Sequence, residues 1–213
     1  FLRIIDRQNA AGLDTFLEKT PRHAFCVSRI RRVFPDARFV CLVREPRNFA
    51  ASNLEAFGAD QSIIRLAALY SKIAGEIAGV RDRNWAHVVR YETLAGAPDE
   101  CIAEICAFLD VEFRPESLTS FGAAADRVIS PGETWKHRVA EAGAVGSDDA
   151  ERWRSALTPA QGALVSWLTR GAATAFGYQP TIQMGAALTG LAADLPRALH
   201  PHQFARLFSR LDG

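Results

Sequence analysis

Short apolar runs alternate along this chain with longer stretches whose apolar residues recur every three or four positions. Phe39-Val40-Cys41-Leu42-Val43 is unbroken and of strand length, the pattern of a strand buried on both faces. Trp85 to Tyr91 runs apolar with alternation and predicts a second strand. Between them Ile63, Leu66, Ala67, Tyr70, Ile73 and Ile77 form a stripe at helical spacing, with Asp60 placed to cap the helix. Pro98 suits a helix start, and Ile102, Ile105, Cys106 and Leu109 continue its apolar face. Thr158 followed by Pro159 opens a further helix that Gly177 stops.

The flanks read less cleanly. FLRIIDRQNAAG has the form of a helix end stopped near Gly12, and Leu13 to Leu17 of a short strand delivering Glu18-Lys19-Thr20-Pro21 into a loop. Arg22 to Phe34 predicts a helix ended by Pro35. Ser120 to Gly146 is rich in Gly, Ala and polar residues and reads as loop. The last thirty or so residues predict two short helices, broken at Pro196 and Pro201 and packed outside the main domain. The expected division is a main domain over 1–180 and a helical extension over 181–213.

Strand and helix alternate, which predicts an α/β fold with a central parallel sheet flanked by helices. Ligands in such folds bind beyond the carboxyl ends of the strands. Arg44, Tyr91 and the Lys19 loop all occupy that kind of position.

Composition narrows the function classes. Hydrophobic residues make up 48% and charged residues 23% of 213, the balance of a globular domain with a sizeable core. A net charge of +1 gives no global field for nucleic acid or an anionic membrane, so an anion site must be local. Cys26, Cys41, Cys101 and Cys106 show no CxxC pairing and sit in apolar runs, which predicts reduced core thiols and a cytoplasmic protein. None of the five histidines has convincing metal-ligand spacing, and no apolar run is long enough to span a membrane. The chain opens on Phe1 inside an apparent element, which predicts that its natural N-terminus lies upstream.

The chemistry concentrates in CLVREPRNFAAS. Glu45 precedes a proline and is biased to extended geometry, and Pro46 suits the first turn of a helix. Arg44 leaves the strand tip, and Ser52, eight positions on, falls about two turns into the helix. A guanidinium, a helix N-terminus and a hydroxyl then have the chance to converge on one phosphate-sized anion. Taken alone, an Arg and a Ser at this spacing are common by chance.

The surrounding pattern decides the matter. LEKTPRHAFCVSRIRRVFPDARFVCLVREPRNFAAS resembles the sulfotransferases that use 3'-phosphoadenosine-5'-phosphosulfate (PAPS), in particular the bacterial branch with a Lys-Thr-Pro segment. The resemblance implies a P-loop-like three-layer fold, and it implies that Arg44 and Ser52 bind the 3'-phosphate of the nucleotide. It likewise implies that Lys19 stabilises charge on the departing phosphate. Glu18, beside it in sequence, reads as its ion-pair partner. Tyr91 begins YETLAGAPDECIAEICAFL, similar to the family's Tyr-Glu-x-Leu segment, whose tyrosine touches adenine; a core tyrosine at a strand end has the same sequence signature. Trp135 and Lys136 in TWKHRV, and Arg154 in ERWRSALTP, also resemble family segments facing the nucleotide or the acceptor. Arg47 ranks behind Arg44, because a side chain one turn into a helix is more often at the surface.

Members of this family carry, far upstream, a glycine- and serine/threonine-containing loop after their first strand that cradles the 5'-phosphosulfate. No such loop is found in the sequence, and NAAGLDT lacks the basic residues and the preceding strand. The expectation is therefore a sulfotransferase without its N-terminal strand and phosphosulfate loop, requiring no metal and acting on a small-molecule or glycan acceptor. The alternative is a nucleotide-binding module without turnover. A nucleoside or sugar kinase needs a GxxxxGK[ST] loop and magnesium carboxylates, which the sequence does not display.

Overall fold

The computed structural model describes residues 16–115 and 151–200. After an extended stretch, a tight helical turn, Pro21–Phe25, leads into α1, Val27–Val33. Then come β1, Phe39–Val43; α2, Pro46–Phe57; α3, Ile63–Ala78; and β2, Ala86–Arg90. They are followed by α4, Tyr91–Gly96, and α5, Pro98–Leu109. The second described stretch holds α6, Trp153–Ala156; α7, Pro159–Thr174; and α8, Met184–Leu199.

β1 and β2 pair in parallel, with Phe39 opposite Ala86 and Val43 opposite Arg90, so both strand tips face the same end of the sheet. That is the α/β arrangement expected. One core cluster joins Cys41 and Val43 to Tyr70, Ala74 and Ile77 of α3 and to Ala173, Phe176 and Tyr178. A second joins Ala50, Ala51 and Leu54 of α2 to Ile63, Leu66, Leu164 and Val165. Burial of these apolar side chains fixes α2, α3 and α7 around the sheet.

Several expectations are corrected. β1 is not buried on both faces: Cys41 and Val43 are buried while Val40 and Leu42 are exposed. The helix expected over 22–34 is interrupted at Cys26, whose φ of −150° and ψ of 30° are not helical. Residues 16 and 17 belong to no strand, and the rest of the segment expected to form one lies outside the described residues, as do the helix end near Gly12 and the loop over 120–146. Ser62, not Asp60, caps α3, its hydroxyl accepting from the Arg65 N–H. The second strand stops at Arg90, and Tyr91 already begins α4.

Helix α8 runs through Pro196 where a break was expected, and the second helix expected beyond Pro201 lies outside the described residues. Tertiary contacts hold α8. Asp194, 2% exposed, accepts from the Ser62 hydroxyl at 2.6 Å and from the Ile63 and Ile64 N–H groups at 3.1 and 2.9 Å. A residue of α8 thereby satisfies the orphan donors at the start of α3. Arg65 in turn donates to the Ala198 carbonyl, one of the acceptors a helix leaves unmade in its last turn. Gly190 lets α8 lie directly on α7: a Cβ there would come within 2.4 Å of the Ala160 carbonyl oxygen.

Candidate functional site

The site is built on the tips of β1 and β2. Glu45 ends the turn after β1 and caps α2, one carboxylate oxygen accepting from the Asn48 N–H at 2.9 Å and the other from Arg47 Nε at 2.6 Å. This alters the expected anion site. Pro46 has no N–H and the Glu45 carboxylate takes the Asn48 N–H, so the start of α2 offers fewer backbone donors than the sequence suggests. Asn48, itself buried, accepts from the Trp153 N–H at 3.0 Å, and the Arg47 guanidinium lies 4.0 Å from the Trp153 ring centroid.

Arg44 and Tyr91 come together: the guanidinium carbon lies 4.2 Å from the ring centroid, a cation–π contact between the two strand tips. Ser52 is half-buried in the second turn of α2. Lys19 is exposed in the loop before the Pro21 turn, and neither it nor Ser52 makes a side-chain hydrogen bond or ion pair among the described residues. Glu18 is not the ion-pair partner of Lys19 expected above. Its carboxylate pairs with His23 Nδ1 at 2.6 Å and accepts from the Thr20 hydroxyl, because the Pro21 turn folds His23 back over it. Arg154 pairs with Glu151 and lies against Trp153. Trp135 and Lys136 lie outside the described residues.

Two residues of this site were not singled out in the sequence. Glu92 accepts from the Glu45 N–H at 2.8 Å and from the Tyr178 hydroxyl at 2.6 Å. Burial and the neighbouring Glu92 charge push the Tyr178 phenol up, so it stays a proton donor. Tyr178 arrives there because α7 ends in a Schellman turn: the Gly177 N–H donates to the Thr174 carbonyl and the Tyr178 N–H to that of Ala173, with Gly177 at φ 77°. Glu92 was visible as the second letter of YETL, but nothing local marks Tyr178 as its partner 86 residues away.

Arg90, at the tip of β2, lies 4.5 Å from the Tyr178 ring. The strand tips thus gather three guanidiniums, Arg44, Arg47 and Arg90, against two carboxylates, Glu45 and Glu92, a local excess of one positive charge. This excess lies at one place in a chain that is nearly neutral as a whole. Tyr70 is buried behind the cluster, and burial with the charges of Glu45 and Glu92 pushes its phenol up as well. No group of three potential metal ligands occurs among the described residues, and no helix among them is long and apolar enough to cross a membrane.

Comparison with known proteins bears on this geometry. Residues 3–115 match the pattern that defines the sulfotransferase family. The chain is similar to the nodulation protein NoeE of Sinorhizobium fredii, with 27% identity over 172 residues covering 70% of the chain and 41% of NoeE. It therefore spans about two fifths of the length of that curated relative. Among solved structures it resembles a sulfotransferase domain from the curacin biosynthetic pathway, with a TM-score of 0.65 and 17% identity, covering 84% of the chain and 68% of that domain. At that identity the likeness establishes the fold, the P-loop-like α/β fold expected from the sequence.

Proposed function

This chain belongs to the sulfotransferase family, and on that footing we propose that it transfers a sulfuryl group from PAPS to a hydroxyl or amine of a small-molecule or glycan acceptor. The observation that carries the reading is the Arg44–Tyr91 pair at the strand tips, inside the matched segment and with a local excess of positive charge. The residues present suit the nucleotide's 3'-phosphate. Arg44 offers a planar fork of donors, and Ser52 a hydroxyl. The Tyr91 ring, with the guanidinium over it, supplies flat contact area of the kind a purine packs against.

In the reaction, the acceptor oxygen or nitrogen attacks sulfur in line, its bond to sulfur forms, and the bond from sulfur to the bridging phosphate oxygen breaks. The acceptor proton passes to a base, and adenosine 3',5'-bisphosphate leaves. Negative charge grows on the bridging oxygen as that bond breaks. Lys19 is assigned to stabilise it, because an ammonium acts more strongly on the fuller charge of the transition state than on the ground state. Its exposure and lack of an internal partner among the described residues support the assignment.

The test is incubation of the full-length gene product with radiolabelled PAPS and a panel of hydroxyl and amine acceptors, beside calorimetry with adenosine 3',5'-bisphosphate. Labelled acceptor is the expected result. Binding without transfer to any acceptor would indicate a nucleotide-binding module, and absence of binding would overturn the reading altogether.

A further inference from the structure

We infer that Glu92 and Tyr178 are a positioning pair that sets Arg44 for the 3'-phosphate; the inference rests on the nucleotide reading above. Arg44 is flanked by two peptide groups, and the pair reaches both. Glu92 accepts from the Glu45 N–H at 2.8 Å, on the C-terminal side of Arg44. The Tyr178 hydroxyl, which gives its proton to Glu92 at 2.6 Å, lies 3.5 Å from the Val43 carbonyl oxygen on the other side. Tyr91, adjacent to Glu92 in sequence, then holds the guanidinium itself. Backbone and side chain of Arg44 are thus fixed from β2–α4 and from the turn after α7, two elements remote in sequence from β1.

A ligand that needs a fork of donors in one orientation gains from this arrangement, because less freedom is lost when it binds. The hydroxyl is dispensable for packing. Tyr178 is buried among core side chains with Arg90 lying over its ring, and a phenylalanine keeps that packing while losing the hydroxyl's contacts with Glu92 and Arg90. The carboxylate accepts from two donors with two separate oxygens, which a glutamine cannot do, since its amide nitrogen is a donor only.

The experiment compares the full-length wild-type protein with Tyr178→Phe, Glu92→Gln and the double variant, measuring calorimetric Kd for adenosine 3',5'-bisphosphate and for adenosine 5'-monophosphate. The readout is the preference for the bisphosphate, which a general loss of stability does not move. Tyr178→Phe is expected to lower bisphosphate affinity about fivefold while monophosphate affinity stays within about twofold, the loss of one neutral-to-charged hydrogen bond acting through Arg44. The double variant is expected to be no worse than Glu92→Gln, because the two side chains act as one unit. Should Glu92→Gln fail to fold, Tyr178→Phe decides alone. A Tyr178→Phe protein with the wild-type preference would overturn the positioning role and leave the nucleotide reading standing. A wild-type protein without any preference would overturn both.

Discussion

The guanidinium of Arg44 lies 4.2 Å from the centre of the Tyr91 ring, so the tip of β1 and the first residue after β2 are joined by their side chains. The parallel register that sets Val43 opposite Arg90 makes this contact possible. A guanidinium held over an aromatic ring presents a planar fork of donors, which a lysine does not reproduce. Tyr91→Leu is accordingly expected to weaken binding of adenosine 3',5'-bisphosphate about three- to tenfold, the scale of a partly desolvated cation–π contact. In an Arg44→Ala background the same change should add less, because its partner is gone. A full second loss in that background, measured by calorimetry, would show that Tyr91 acts independently of Arg44.

Lys19 makes a different prediction. A group acting on charge that develops only during transfer changes kcat more than ground-state affinity. Lys19→Ala is expected to reduce sulfuryl transfer about a hundredfold or more, the scale of losing one charge-stabilising donor, with nucleotide Kd changed less than about threefold. A loss in Kd that matches the loss in kcat would make Lys19 a binding residue.

Asp194 tests the architecture apart from the chemistry. Its carboxylate accepts three hydrogen bonds at the start of α3 from a position 2% exposed. Asp194→Ala strands buried donors and removes a cap, and is expected to cost about 2–4 kcal/mol in denaturant unfolding. A change below about 0.5 kcal/mol would mean that α8 does not hold the start of α3 in solution.

The parts of the fold legible in the sequence were those with a dense local signal. The apolar run at Phe39–Val43 ends where β1 ends, and Thr158-Pro159 starts α7 with a capping box completed by Gln161. Legibility failed where a distant partner decides. Asp60 reads as the cap of α3, but the cap is Ser62, whose hydroxyl donates to the carboxylate of Asp194, more than a hundred residues away. Pro196 reads as a break because the contacts that carry the helix through it come from Arg65 and from α3. In the site, Arg44 and Tyr91 were marked by strand ends, whereas Tyr178 is placed by the turn at Gly177 and recognised only through Glu92. Glu18 was assigned to Lys19 by adjacency, but the turn at Pro21 brings His23 closer.

The thiols give a prediction in pH. Burial pushes the Cys41 thiol up to about 11. At pH 8 it should resist alkylation in the native protein, while the half-buried Cys26 and Cys106 react first, a difference readable by mass spectrometry. Because the folded thiol holds its proton more tightly than the unfolded one, its contribution to stability is intact below pH 9. That contribution falls as pH rises towards 11, by about 1 kcal/mol per unit. Rapid native labelling of Cys41 at pH 8 would contradict its buried placement in β1.

Calorimetry of adenosine 3',5'-bisphosphate with the wild-type protein and with Arg44→Ala separates the possibilities at the strand tips. A charge-assisted bond to phosphate contributes about 1.5–3 kcal/mol, so the variant is expected to bind at least tenfold more weakly, with adenosine 5'-monophosphate little affected. Equal bisphosphate affinity in the two proteins would show that Arg44 does not hold the 3'-phosphate and that the assigned nucleotide site is wrong.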